Sequence, residues 1–547
     1  MSKINLLDCT LRDGAYINYS KFGDNVIKGI IHNLNKANID LIEVGWLKDN
    51  KREADSTYFH TAEDIIPFMP TDRNPKTQFL AMIDYGRYNI NNLSPFNGNS
   101  IDSVRVVFPK EKFQEAIIFS KQIKNKGYNL CLQAANTQSY SDLELIQLAQ
   151  LTNSVKPQSL SIVDTFGVMY QSDLQRIYMI LDNNLDKNIK LGFHSHNNLQ
   201  LSFALAIEFI QLGRATNREV VIDSSLCGMG RGAGNTCTEL ISNYLNIKNN
   251  SNYDTNIIMD TIDIYMHNFI TNYKWGYSIP FCIAGQLGSH VNNIAYLQNT
   301  HKTDFRDMKI ILESLPTDER KLYNYDRLEQ VYINYQNKEI DDCNALAELQ
   351  NKLENKTILL LVPGKTLITE KEKIKNYIHE NNPITIGINA ISSEYNYDYL
   401  FFSNQVRYNY AKCQTPEIFE NTTKIITSNL TTQILRNSYT INYNTLMKLG
   451  WKYFDNSTIM ALRLLAKLKV DSVNFAGFDG YTPDKNDAYN DVILQTYLTP
   501  EEKTELNNDI KNMLNDFVLK NKFNTKLNFI TNSQFQSAID HNLLLNI

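Results

Sequence analysis

Two histidines one residue apart, His194 and His196, stand in the segment GFHSHNNLQLSFA. In an extended strand, residues two apart point to the same face, so two imidazoles can converge on one ion. Near the start of the chain, LLDCTLRDGAY carries Arg12 and Asp13. Two histidines and one carboxylate form a ligand set that leaves positions open for a hydroxy- or keto-acid bound through two oxygens. An HxH pair can equally be surface or core filling, so its weight depends on where its strand lies. Arg12 beside such an ion can stabilise a developing enolate; otherwise it is a salt-bridging arginine, with Asp164 or Glu43 as partner. The run from Gly228 to Asn235 (GMGRGAGN) reads GxGxxA but lacks a Rossmann context. A backbone bending tightly near a substrate or phosphate accounts for it better. Asn235 can offer its amide oxygen to the ion, or simply cap a turn.

These residues need a frame. Eight β-rich runs alternate with helical periodicity over the first 230 or so residues: Ile4–Thr10, Leu41–Leu47, Gln78–Asp84, Ser103–Pro109, Tyr128–Asn136, Ser159–Thr165, Lys190–Asn197 and Glu219–Cys227. Eight such units suit a (β/α)8 TIM barrel better than an open doubly wound sheet. The active site of a barrel lies at the C-terminal strand ends. There the sequence places Asp13, Glu43, Gln133, Asn136, Asp164, Thr165, the two histidines and Asp223. Strands one and seven of a closed barrel are separated only by strand eight, so Asp13 can meet His194 and His196.

The barrel domain is expected over residues 1–250. A helical extension and linker follows over 251–355, and residues 337–356 are expected to form an exposed helix. A smaller Rossmann-like α/β domain is expected over 356–547, with strands at Thr357, Ile384–Ala390, Tyr399–Asn404 and Ser472–Asp479 and a helix over Thr458–Val470. The turn Pro363-Gly364-Lys365 can hold a phosphate at a helix N-terminus or be an ordinary βα turn. Asp479 stands where a ligand or metal carboxylate would lie, or caps a turn.

The chain has 547 residues, a net charge of −5 and no long charged block, which argues against a phosphate-bound nucleic acid. Seven scattered cysteines without a CxxC pair point to a reduced cytoplasmic protein. The N-terminus lacks a signal-peptide layout, and apolar runs such as Ile358–Val362 are too short to span a membrane. The helices after the barrel suggest a homo-oligomer.

The three segments LLDCTLRDGAY, GFHSHNNLQLSFA and SSLCGMGRGAGNTCTE resemble the metal-dependent pyruvate aldolase and acyl-lyase superfamily, which includes 4-hydroxy-2-oxovalerate aldolases, HMG-CoA lyases and isopropylmalate and homocitrate synthases. The resemblance covers about residues 1–300 and is nearest the 4-hydroxy-2-oxovalerate aldolase type. It implies Asp13, His194, His196 and Asn235 as ligands of a divalent ion, with Mn2+ or Mg2+ favoured and Zn2+ or Co2+ also fitting. It implies Arg12 as the enolate-stabilising group and C–C bond formation or cleavage through a metal-bound enolate of a keto acid or keto-sugar. One departure stands out: the aldolases place a histidine, the general base, where this chain has Tyr16. Tyrosine, with a pKa near ~10, is a poor base at neutral pH. Tyr16 can orient or protonate an alkoxide, or merely pack, and Glu43 is a further catalytic candidate.

The segments LVPGKTL, ITIGINA, YDYLFFSNQVRY and VNFAGFDGY resemble, more faintly, sialyltransferase-type or 6-hydroxymethylpterin pyrophosphokinase-like Rossmann domains. That resemblance implies a nucleotide or nucleotide-sugar ligand, and by analogy a role in making an unusual surface sugar. A Claisen-type acyl-CoA-dependent transferase, a bifunctional aldolase and nucleotide-sugar transferase, and a non-catalytic scaffold barrel are the competing readings.

Overall fold

A computed structural model describes residues 3–301, 303–430, 437–453, 456–482, 499–520 and 525–540. The eight expected barrel strands are all present: β1 (Ile4–Asp8), β2 (Leu41–Leu47), β3 (Gln78–Asp84), β4 (Ser103–Phe108), β5 (Asn129–Ala134), β6 (Ser159–Asp164), β7 (Lys190–Ser195) and β8 (Val220–Ser224). Every pairing among them is parallel. β1 bonds to both β8 and β2, which closes the barrel. A two-residue strand, Tyr58–Phe59, adds to β2.

Strands covered on both faces read as near-continuous apolar runs, and these do. In β1, Leu6 packs outward into the large core under the helices, while Leu7 turns inward with Leu41, Leu80, Cys131 and Val221. The helix Asp142–Val155 shows how the outer layer is set. A capping box between Ser141 and Glu144 fixes its start, and Leu145, Leu148, Ala149 and Val155 face the strands.

Strand one stops two residues earlier than expected. The Asp8 carboxylate accepts the Thr10 N–H at 2.9 Å, and the Cys9 carbonyl accepts the N–H groups of Arg12 and Asp13. Thr10–Asp13 is therefore a helical turn, not strand. Helices occupy most of residues 255–353, where Cys343–Leu353 is a helix with Leu349 and Leu353 buried.

The later part of the chain forms a second parallel sheet: β9 (Thr357–Leu361), β10 (Ile384–Ile388), β11 (Tyr399–Phe402), β12 (Thr423–Thr427), β13 (Ser438–Ile441), β14 (Ser472–Ala476) and β15 (Lys526–Phe529). Its order is β13-β12-β11-β10-β9-β14-β15. Alternate residues serve cores on opposite faces, Ile358 and Leu360 on one and Leu359 and Leu361 on the other. The chain divides into two compact units, residues 1–295 with 315–323 and residues 296–314 with 324–547. No helix among the described residues is long and apolar enough to cross a membrane.

Candidate active site

The ligand atoms of Asp13, His194 and His196 lie within 4.8 Å of one another, and all three side chains are buried. His194 lies within β7. His196 lies one step past its end, in an isolated antiparallel bridge with Asn235. Asp13 comes from the helical turn after β1. His196 Nδ1 is 3.9 Å from Asp13 Oδ2, and His194 Nδ1 faces Asp223 Oδ2 at 3.1 Å. An imidazole backed by a carboxylate is the usual arrangement of a ligand histidine.

The donor set fits a divalent ion. Asn235 Nδ2 donates to Asp13 Oδ2 at 2.7 Å, while Asn235 Oδ1 is buried and has no hydrogen-bond partner among the described residues. His196 Nδ1 is likewise buried without one among the described residues. Such atoms carry an unmet desolvation cost that an ion would remove. Burial pushes His196 down to about 3, so its imidazole is neutral at neutral pH, as a metal ligand must be. Burial opposes ionisation of Asp13, but Arg12 and the two imidazoles outweigh it and hold the carboxyl well below the usual range.

Arg12 is held by its neighbours. Its Nε donates to Glu43 Oε2 at 2.7 Å and its Nη1 to Asp13 Oδ1 at 2.6 Å. Its Nη2 is buried and has no partner among the described residues. Of the two partners expected for Arg12, Glu43 and not Asp164 pairs with it, and Asp13 is a second. Beneath them lies Arg105 on β4, 1% exposed. It donates to Glu43 Oε2 at 3.0 Å and to Asp223 Oδ2 at 2.5 Å. The Gln133 amide oxygen, in the orientation that satisfies both groups, accepts from Arg105 Nε at 2.9 Å. The sequence reading missed Arg105. Its signal was a lone charge among the valines and phenylalanine of SVRVVF.

Tyr16 follows in a 3-10 turn, its ring 40% exposed and edge-on to Trp46. Surrounding protein still pushes its hydroxyl up to about 12, so it remains protonated at neutral pH. Asp164 does not join the ion site: its carboxylate accepts the N–H groups of Val168 and Met169 and braces its own loop. The glycine-rich segment folds back on itself. A Cβ at Gly234, whose φ is +81°, would lie 2.0 Å from the Gly228 carbonyl oxygen. Trp275 Nε1 donates to the Cys227 carbonyl at 2.9 Å and props this segment from outside.

In the second unit, a cavity of about 190 Å³ opens where the strand order reverses between β9 and β14. Gly364, Asn389, Arg407, Phe478 and Asp479 are among its walls. The Asp479 carboxylate accepts from both the N–H and the hydroxyl of Thr366, which ties down the turn after β9. Asp479 is therefore a turn brace. The N–H that a phosphate would take there is already engaged.

The sequence profile of the HMGL-like family matches residues 101–264. The 4-hydroxy-2-oxovalerate aldolase of Geobacillus genomosp. 3 is 30% identical over 245 residues, covering 44% of this chain and 69% of that protein. The chain belongs to the HMGL-like family. Another relative, the oxaloacetate decarboxylase of Mycobacterium tuberculosis, is 25% identical over 244 residues, 43% of this chain and 68% of the relative. Among solved structures, the hydroxymethylglutaryl-CoA lyase of Pseudomonas aeruginosa covers 50% of this chain and 95% of its own at 14% identity, with a TM-score of 0.39. As an HMGL-like protein, this one is an enzyme of the metal-dependent aldolase and lyase class.

Proposed function

We propose that the barrel makes or breaks a C–C bond next to the keto group of a 2-oxo acid, with Asp13, His194, His196 and Asn235 as the residues that would hold a Mn2+ or Mg2+ ion. The named activities of the relatives support the 2-oxo acid. The observation that carries the reading is the clustering of Asp13, His194 and His196, whose ligand atoms lie within 4.8 Å of one another, together with buried atoms of this network left unpartnered among the described residues: Asn235 Oδ1, His196 Nδ1 and Arg12 Nη2. A divalent ion at that cluster supplies Lewis-acid polarisation of a keto oxygen. The rest falls to the chain. Arg12 Nη2, fixed by the two carboxylates on its other nitrogens, donates to the oxygen on which enolate charge develops. Glu43 acts through Arg12, and Arg105 holds Glu43 in turn. Tyr16, which keeps its proton, can give a hydrogen bond to an alkoxide but cannot serve as the base at neutral pH. Deuterium exchange into the methyl group of pyruvate, with Mn2+ added, tests the reading. Absence of exchange across several 2-oxo acids would sink it.

The second unit supports a separate reading, a nucleotide or nucleotide-sugar ligand. Its cavity lies at the C-terminal ends of β9 and β14, the switch point where open parallel sheets take ligands. Arg407 offers it positive charge, and Phe478, Tyr481 and Phe535 an aromatic wall. Calorimetric titration with pyrimidine and purine nucleotides checks it. Heats no larger than dilution for all of them would retire it.

A further inference from the structure

Among the described residues, one cation at the mouth of the barrel, Arg231, has no carboxylate in an ion pair with it. Arg231 directly follows Gly230, which itself borders the ion site, since a Cβ there would lie 2.4 Å from Asp13 Oδ2. Its guanidinium carbon stands 3.8 Å from the centroid of the Tyr16 ring. Its Nη1 lies 3.5 Å from His290 Nε2. Both neighbours are neutral at neutral pH: Tyr16 is a phenol, and burial together with Arg231 itself pushes His290 down to about 4. The other cations of this region are matched. Arg12 meets Asp13 and Glu43, Arg105 meets Glu43 and Asp223, and Lys48 meets Asp84 at 2.9 Å. Among the described residues, no carboxylate forms an ion pair with Arg231, whose polar partner is the imidazole alone.

A guanidinium set between two neutral rings has lost part of its hydration without gaining a counter-charge. Its planar fork suits a carboxylate or a phosphate, either of which it can grip with two parallel N–H bonds. The face of Tyr16 supports the cation from one side and the His290 ring nitrogen steadies it from the other, so the fork is oriented before any ligand arrives. A histidine at position 16 would set a titratable group against this fixed charge; a phenol does not.

We propose that Arg231 is a specificity-determining residue that binds a second oxyanion, a carboxylate or a phosphate, carried by the substrate at the end away from its 2-oxo acid group. This rests on the 2-oxo acid reading of the barrel. Under it, the substrate is dianionic or more highly charged, and a neutral distal end leaves Arg231 unsatisfied.

Calorimetric titration of the full chain with Mn2+ present compares three ligands: 2-oxobutyrate, 2-oxoglutarate and 2-oxo-4-phosphonobutyrate. The wild type should bind at least one of the charged pair about tenfold or more tightly than 2-oxobutyrate, and which of the two wins separates carboxylate from phosphate. In Arg231→Gln that preference should collapse toward unity, and Arg231→Lys should recover part of it. For turnover, the loss in Arg231→Gln should fall mainly on KM. A wild-type preference near unity, or one that Arg231→Gln leaves intact, overturns the proposal. The wild-type ratio alone decides it should a variant fold poorly. Pyruvate deuterium exchange, measured in parallel, reports on the barrel reading without any distal anion, so failure of the one is distinguishable from failure of the other.

Discussion

Both parallel sheets of this protein end in carboxylates, yet the two ends are built differently. At the barrel mouth, Arg12 Nη2, Glu43 Oε1 and Asn235 Oδ1 are buried and unpartnered among the described residues. At the switch point of the second sheet, Asp479 is engaged by the backbone and hydroxyl of Thr366. The residue types at the two places are similar. Single left-over polar atoms, such as Tyr453 Oη and Arg463 Nη2, occur elsewhere among the described residues; what sets the barrel mouth apart is that several belong to one network of hydrogen-bonded side chains around clustered metal-ligand types.

The comparison is open to attack from both sides. The largest effect is expected from His194→Ala, which removes one of three clustered ligands: pyruvate exchange should fall to the protein-free background, and Mn2+ binding followed by paramagnetic resonance should weaken with it. Retained exchange would break the contrast outright. Next comes Arg105→Met. It leaves Glu43 and Asp223 buried without their shared cation, which should cost about 3–5 kcal/mol in urea unfolding. A loss below about 1 kcal/mol would mean the network beneath the site is slack.

A smaller effect concerns Asp8, which caps the turn bearing Arg12 and Asp13. Burial pushes its carboxyl from 3.8 up to about 6, against the hydrogen bonds from Thr238 and Thr10. The folded protein therefore holds this proton to higher pH than the unfolded chain does. The stabilisation from Asp8 is full below pH 3.8 and is lost as pH rises through about 6. Wild-type stability relative to Asp8→Asn should fall by about 2–3 kcal/mol between pH 4 and pH 7. A flat difference would show that Asp8 ionises normally. The smallest change belongs to Asp479→Asn, which keeps the size and one acceptor of a turn brace and should cost only about 1 kcal/mol. Complete loss of nucleotide binding in that variant, with stability intact, would sharpen the case for a ligand role instead.

Much of the barrel was legible because strands covered on both faces are largely apolar, and its eight runs are, broken mainly by the polar residues of the candidate site. The meeting of Asp13 with His194 and His196 followed from counting strands around a closed ring. Strand ends were less legible: β1 stops at Asp8 because a side chain there caps a turn, which no periodicity reveals. In the second sheet, Thr423–Thr427, Ser438–Ile441 and Lys526–Phe529 escaped notice. The last two are its edge strands, short and partly exposed, so they carry little apolar signal. Arg105 hid inside an apolar strand, and Arg231 hid among glycines that drew the reading toward backbone shape.

The bond from Trp275 to the Cys227 carbonyl bears on where the enzyme can be cut. A fragment ending at residue 250 would keep every candidate ligand, and one ending at 264 would keep the whole stretch that matches the family profile. Either would discard the indole that props the Asn235 segment and the imidazole that steadies Arg231. Such a fragment would also lose part of the barrel's own core, Met266 and Phe269 in either case and Tyr253 and Ile258 as well in the shorter one, so it should be a poor catalyst although every candidate ligand remains.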